Sequence, residues 1–191
     1  MEEVKVRAFS INNATHIPNG LPPPLVREYC FLQLRMLCEL VALGCLVAHS
    51  DIKETQTKSF QKTWGADEIL KRLEKLHPDF YPVPVKPTFG PSSVHLENIE
   101  SGFLTKSELI KLYGTCGDVL HKGNLRNLIS SKTPAQTNFL DINNWGQKML
   151  NLLSAHRITR LGSRFGFLTF LEVTQKGGNV QVGFFASPEQ T

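Results

Sequence analysis

The chain has 191 residues, of which 41% are hydrophobic and 20% are charged, and its formal net charge is +4. A globular chain of this length and composition can bury a sizeable core without disulfides or metals. The mild positive charge would not repel a nucleic acid or an anionic ligand, but alone it indicates neither.

The first eleven residues predict a strand, and the residues after them predict a long helix. Val4 to Ile11 alternates between apolar and polar residues, which is typical of a short strand. Pro24 to His49 is almost continuously apolar, and proline suits the first turn of a helix. At about 100° per residue, Glu28, Arg35 and Glu39 fall on one narrow stripe of this helix. The stripe is either an internal ion-pair ladder or one wall of a polar site, because buried charges must be paired.

The sequence shows no signal peptide, membrane span or CxxC pair, and these features predict the cellular compartment. The opening residues contain no apolar segment of the kind found in signal peptides, and charges near the middle of the long helix argue against a membrane span. The cysteines form no CxxC pair. We therefore expect a cytoplasmic protein with four small buried cysteines in a reducing compartment: Cys30, Cys38, Cys45 and Cys116.

The middle of the chain predicts one or two helices followed by an extended arm. Ser59 to Leu76 carries an apolar face, and His77-Pro78 would stop a helix there. The segment from His77 to Ser93 is rich in proline, which disfavours both a helix and a central strand. It is also too apolar to be free in solvent, so we expect an extended arm that lies against the core.

The second half predicts two more helices and a terminal hairpin. Thr105 and Glu108 have the spacing of a capping box for a helix that ends near His121. Asp141 would cap another helix, ending near His156. Two β-rich segments, 166–174 and 180–186, predict a hairpin. The expected fold is one mainly α (α+β) domain over residues 1–191. It comprises a bundle of about four helices over residues 24–156 and a small antiparallel β-hairpin appendage over residues 164–187, to which an N-terminal strand could be added.

The best candidate for chemistry is the run from Tyr113 to Asn124 in the third of these helices. Two glycines inside this helix each cost about 1 kcal/mol against alanine, which suggests close approach of a neighbouring helix. Such a crossing could bring His121 near Arg35 and Glu39, while Asp118 lies three residues before His121. The alternative is a buried ion pair beside a histidine at a helix C-terminus.

This run also carries a family resemblance. The pattern Tyr113-x-x-Cys-Gly-Asp-x-Leu-His-x-x-Asn124, on a helix packed against a long helix with Arg and Glu, resembles bacterial helical bundles related to the HEPN group. Many of those proteins are linked to phage defence and toxin–antitoxin systems, and their ribonuclease members carry Arg, four to six residues, then His. The corresponding positions before His121 hold no arginine here, and Arg126 follows the histidine instead. The resemblance therefore implies an inactive or repurposed binding member, unless Arg35 replaces the arginine in space.

A loose basic cluster lies where the last helix meets the hairpin. Arg157, Arg160 and Arg164, with neighbouring phenylalanines, could contact phosphates. The alternative is that the phenylalanines form the core face of a sheet and the arginines flank it in solvent. The spacing of histidines, cysteines and acidic residues predicts no metal site, and no phosphate-binding glycine loop is present. We therefore expect no cofactor.

These observations lead to three functional hypotheses. The first is a defence- or stress-associated protein that binds RNA or a nucleotide, with metal-independent ribonuclease activity as its catalytic version. In that version His121 is the general acid/base, Arg35 stabilises developing charge, and Glu39 or Asp118 orients a partner. A wider binding surface would then comprise Tyr113, Asn124, Arg126, Arg157, Arg160 and Arg164. The second hypothesis is a non-catalytic interaction module that forms homo-oligomers, and the third is a small-molecule sensor with a pocket between helices.

Overall fold

The computed structural model describes residues 1–17, 20–91, 93–121, 138–171 and 179–186. In this part of the chain, helices pack together and against a five-stranded antiparallel sheet. The helices are α1 (Glu2–His16), α2 (Pro23–Ala48), α3 (Lys58–Gln61), α4 (Ala66–Leu76), α5 (Lys106–Leu120) and α6 (Leu140–Leu153), with a 3-10 turn at Lys53–Gln56. The strands are β1 (Val83–Phe89), β2 (Val94–Asn98), β3 (Ala155–Thr159), β4 (Phe165–Leu171) and β5 (Val180–Ala186).

The predicted fold class is wrong because it understates the sheet. A bundle of about four helices with a terminal hairpin was expected, but the hairpin strands β4 and β5 are only two of five strands. The sheet order is β2-β1-β3-β4-β5. Strand β1 comes from the predicted arm and β3 from the predicted helix end, whereas β2 follows the arm in residues that were assigned to no element. The fold is therefore α+β, with six α-helices in the described residues.

The N-terminal segment is a helix and not the expected strand. Val4 and Ile11 are the buried residues of α1, and their spacing of seven places them on one helical face. Val6, which also belongs to the alternating pattern, is 67% exposed. The apolar residues therefore include two that lie two helical turns apart on one face, and they do not mark a pleated strand. Helix α1 packs against α2.

The long helix α2 is the centre of the core. Leu34, Leu37 and Cys38 have no exposed surface, and α2 packs against α1, α4, α5 and α6. Its length and composition would allow it to cross a membrane, but half of its most apolar window is buried inside the fold. All four cysteines are buried and unpaired, as predicted.

The proline-rich arm forms strand β1 in the interior of the sheet, so the prediction that it would not be a central strand is wrong. Proline is tolerated because each part of β1 pairs with only one of its two neighbouring strands. Val83 and Pro84 pair with β3, whereas Val85 to Phe89 pair with β2. Pro84 still accepts a hydrogen bond at its carbonyl, from the amide of Ile99. Pro84 therefore keeps one main-chain hydrogen bond although it has no amide to donate.

Two features that were predicted from residues close together in the sequence, a capping box and a hairpin, are confirmed. Thr105 and Glu108 form the predicted capping box at the start of α5, and β4 pairs with β5 as a hairpin. The prediction that Asp141 caps the next helix is wrong, because α6 begins at Leu140 with Phe139 at the cap position. This helix ends at Leu153, and His156 lies in β3 rather than at a helix end.

Candidate functional site

Arg35, Glu39 and Tyr113 form one polar cluster between α2 and α5, which we call the Arg35 cluster. Arg35 Nε lies 3.4 Å from Glu39 Oε1, because the two residues are one helical turn apart. Arg35 Nη2 donates to the Tyr113 hydroxyl at 2.8 Å, and that hydroxyl donates to Glu39 Oε1 at 3.2 Å. The guanidinium also lies over the tyrosine ring, 4.3 Å from its centroid.

The Arg35 cluster is charge-balanced and partly buried. The side chains of Arg35 and Glu39 are 19% and 22% exposed, and Tyr113 is buried. Burial raises the pKa of Tyr113; the charge of Arg35 opposes this rise and Glu39 adds to it. The phenol therefore stays protonated at neutral pH and can donate to the carboxylate.

The other predicted catalytic residues follow the Arg35 cluster along α5. Gly117 also lies beside Arg35, since a Cβ there would lie 3.5 Å from Nη1. Asp118 is exposed, and so is His121, whose amide donates to the Gly117 carbonyl. One helical turn, a rise of about 6 Å, separates Gly117 from His121. Within the described residues, no hydrogen bond joins His121 to the Arg35 cluster.

The remaining predicted binding residues are dispersed. Asn124 and Arg126 lie outside the described residues. The Arg164 guanidinium lies 5.2 Å from the centroid of the Phe165 ring. Arg157 belongs to β3 and Arg160 follows that strand. The structure brings these last two together in one groove of about 590 Å³, whose polar lining also includes His77, Asp79, Thr105, Lys106 and Thr159.

This groove, which we call the β3 groove, contains one arginine donor without an acceptor and one arginine without an ionic partner among the described residues. Arg160 Nη2 donates to Asp51 Oδ2 at 2.7 Å, but its Nε is buried and has no hydrogen-bond partner among the described residues. Burial, the largest single influence, would raise the pKa of Asp51, but the hydrogen bond and charge of Arg160 and a backbone hydrogen bond together outweigh it, so the pKa is lowered. Among the described residues, Arg157 hydrogen-bonds only to the neutral side-chain amide of Asn98, at 3.4 Å, whereas Lys106 is paired with Glu74.

Two buried histidines anchor the end of β3 beside this groove. His49 Nε2 and His77 Nε2 lie 3.0 Å and 3.2 Å from the same Thr159 carbonyl oxygen. The two rings are 5.1 Å apart. These contacts tie the ends of α2 and α4 to the sheet. Groups of three His, Cys, Asp or Glu residues arranged to hold a metal ion are absent from the described part of the chain.

The sequence interpretation missed a second cavity on the opposite face of β3. It has a volume of about 280 Å³ and lies between α2 and the sheet. Its lining side chains are apolar except for those of His156 and Thr169, which are 4% and 6% exposed, and Met1 at the N-terminus also lines it. The local sequence, in which Ala155 and Arg157 flank His156, carries no signal for this cavity, and His156 was assigned to a helix end.

A comparison of the chain with protein-family models, with curated protein sequences and with solved structures finds no match. The resemblance to the HEPN group therefore stays a prediction.

Proposed function

We propose that the protein binds a phosphate-bearing ligand, RNA or a nucleotide, in the β3 groove. The observation that carries this proposal is the buried Arg160 Nε, a donor with no acceptor among the described residues. A buried polar group normally has a partner, so an orphaned donor indicates a position for a ligand or a water. Arg157, in the same groove, has a charge that no carboxylate balances in the described residues.

The chemistry of the groove suits phosphate more than a neutral ligand. An arginine donates through a planar fork that matches phosphate oxygens, and such charge-assisted hydrogen bonds are stronger than neutral ones. Tyr81 and Phe103 also line the groove, where a base could pack beside them. The groove therefore offers both parts of a nucleotide a complementary surface.

The proposal is tested by fluorescence anisotropy with a labelled 12-nucleotide single-stranded RNA, in competition with AMP. We expect Arg157→Gln to weaken binding about tenfold and to reduce the salt dependence by about one counterion. Arg7→Gln is the matched control, because Arg7 is an arginine of α1 that pairs with Glu3 outside the groove. Equal losses in both variants would indicate general charge attraction and would contradict a site in the β3 groove. Competition by AMP distinguishes a nucleotide site from one that needs a longer RNA.

RNA cleavage is the catalytic version of the same function, and it depends on His121. Its support is the position of this exposed histidine one turn after Gly117, which lies beside the Arg35 guanidinium. Cleavage of a mixed RNA pool in metal-free buffer that is lost in His121→Ala would place a general acid/base there. Binding without cleavage in either protein would restrict the function to binding.

Self-association is a second candidate function, and β5 supports it. This strand is at one edge of the sheet, and its Val182 and Phe184 are 61% and 74% exposed. Edge strands with exposed apolar side chains pair readily with another chain. Light scattering at high concentration should detect a dimer that Phe184→Lys abolishes; a monomer at all concentrations would remove this candidate.

A further inference from the structure

The cavity between α2 and the sheet has an apolar wall and one polar corner. Its apolar wall comes from Val41 and Cys45 of α2, Ile158 of β3 and Phe167 of β4. His156 and Thr169 form the polar corner, because they are direct cross-strand partners in the β3–β4 register. Side chains of such partners lie on the same face, with Cβ atoms about 5 Å apart.

The hydrogen bonds of His156 define what the polar corner can accept. His156 Nδ1 lies 3.2 Å from the Leu153 carbonyl oxygen, and a carbonyl only accepts, so Nδ1 carries the proton. Burial lowers the pKa of His156 to about 4, so the ring is neutral at pH 7 and Nε2 is an acceptor. Neither Nε2 nor the Thr169 hydroxyl has a hydrogen-bond partner in the described part of the chain.

We propose that this cavity is a binding site for a small, neutral, apolar molecule with one hydroxyl group, such as an alkylphenol or a medium-chain alcohol. The hydroxyl donates to His156 Nε2 and accepts from the hydroxyl of Thr169. A ligand hydroxyl has both capacities, whereas a hydrocarbon has neither and would leave two buried polar groups unpaired. A neutral ligand is favoured over an anion because the polar corner holds no ionised side chain that could pair with an anion.

The size of the cavity limits the ligand. A cavity of about 150 Å³ holds benzene, so 280 Å³ suits a molecule of roughly ten to twelve non-hydrogen atoms by the same proportion. The mouth is also apolar: Val47 of α2 and Val182 of β5 line the cavity and are 71% and 61% exposed. An apolar molecule can therefore enter without passing charged side chains of these two elements.

The first test compares three ligands of similar shape on the unaltered protein by isothermal titration calorimetry. 4-Propylphenol should bind saturably, one molecule per chain, and about tenfold more tightly than propylbenzene, which lacks the hydroxyl. 4-Propylbenzoate, which is anionic, should not bind measurably. Equal affinities for the phenol and the hydrocarbon would overturn the role of the polar corner. Absence of binding by all three would overturn the site itself, leaving a cavity filled by water only.

The second test places the bound molecule in the cavity. Gly44 is an exposed helical residue that lines the cavity, and an added Cβ there meets no atom within 4 Å. Gly44→Leu should therefore leave the fold intact, fill the mouth and abolish 4-propylphenol binding. Gly114→Leu is the matched control, since Gly114 is an equally open helical glycine that does not line the cavity. Unchanged binding in Gly44→Leu would contradict the site.

The third test removes the hydroxyl from the polar corner. Thr169→Val should reduce the preference for 4-propylphenol over propylbenzene while leaving propylbenzene affinity unchanged. If the variant keeps the full preference, the hydroxyl is recognised elsewhere and the proposal fails. The comparison of ligands on the unaltered protein stands even if a variant does not fold.

Discussion

Two glycines are expected to respond to alanine substitution with opposite signs. Gly114 lies in α5, is exposed, and would place an added Cβ in open space with no atom within 4 Å. Gly166 lies in β4, where an added Cβ would be 2.5 Å from the Ile158 carbonyl oxygen and 2.6 Å from Cε1 of Phe185. Gly114 therefore lowers helix stability although no neighbouring atom requires a glycine there. Gly166, by contrast, is required because the Ile158 carbonyl oxygen and the Phe185 ring leave no space for a Cβ.

The magnitudes follow from these surroundings. Glycine in a helix interior is about 1 kcal/mol less favourable than alanine, so Gly114→Ala should stabilise the fold by about that amount. For a chain of this size, this corresponds to a rise in Tm of about 2–4 °C. At Gly166 the nearest atom is a backbone oxygen that cannot turn aside. Overpacking of this kind costs about 1–3 kcal/mol, so Gly166→Ala should lower the Tm by several degrees.

Thermal unfolding followed by circular dichroism measures both effects, and the double variant should show their sum because the two glycines share no neighbour. A lower Tm for Gly114→Ala would refute the open environment and support the close helix approach that the sequence suggested. An unchanged Tm for Gly166→Ala would mean that the β3–β4 pairing is not as described.

The remaining predictions concern the Arg35 cluster, the thiols and pH. Tyr113→Phe removes the hydroxyl of the Arg35 cluster but keeps the ring, so the free energy of unfolding in urea should fall by about 1–2 kcal/mol; an unchanged value would mean the hydroxyl contributes nothing. Burial raises the pKa of two of the four thiols to about 12, so a thiol reagent at pH 8 should label the folded protein only as fast as it opens. Rapid labelling would contradict the buried assignment. Burial lowers the pKa of His156 from 6.5 to about 4, so the unfolded chain binds the additional proton between those values. The free energy of unfolding should therefore fall as the pH decreases from 6.5 towards 4, by up to about 3 kcal/mol. His156→Phe should remove this slope between pH 6.5 and 4.5, where most carboxylates are still ionised, and a slope that persists would assign it to other groups.

The sequence predicted features whose residues are close together along the chain. The capping box needs only Thr105 and Glu108, and the pairing of Arg35 with Glu39 follows from one helical turn. Strand β1 was missed because the partners that make a proline-containing strand acceptable are distant in sequence: Pro84 pairs with His156. The helix α1 was missed because a short segment with few apolar residues fits both periods.

Distance along the sequence also decides which parts of the candidate sites could be predicted. Arg157 and Arg160 were grouped because they are three residues apart. The orphaned Arg160 Nε, by contrast, depends on where Asp51 and the end of β3 meet in the fold. The cavity required even more: α2 supplies one wall, and the polar corner needs the register that places His156 opposite Thr169. Composition and periodicity carry no information about that register until the sheet order is known.

Strand β3 divides its side chains between the two proposed sites. His156 and Ile158 line the cavity, whereas Arg157 and Thr159 line the β3 groove, because successive side chains of a strand point to opposite faces. Substitutions at alternate positions can therefore separate the two functions. Arg157→Gln should weaken RNA binding and leave 4-propylphenol binding unchanged, and Thr169→Val should do the reverse. An effect of either variant on the other ligand would mean that the strand couples the two sites, since a coupling between two binding equilibria acts equally in both directions.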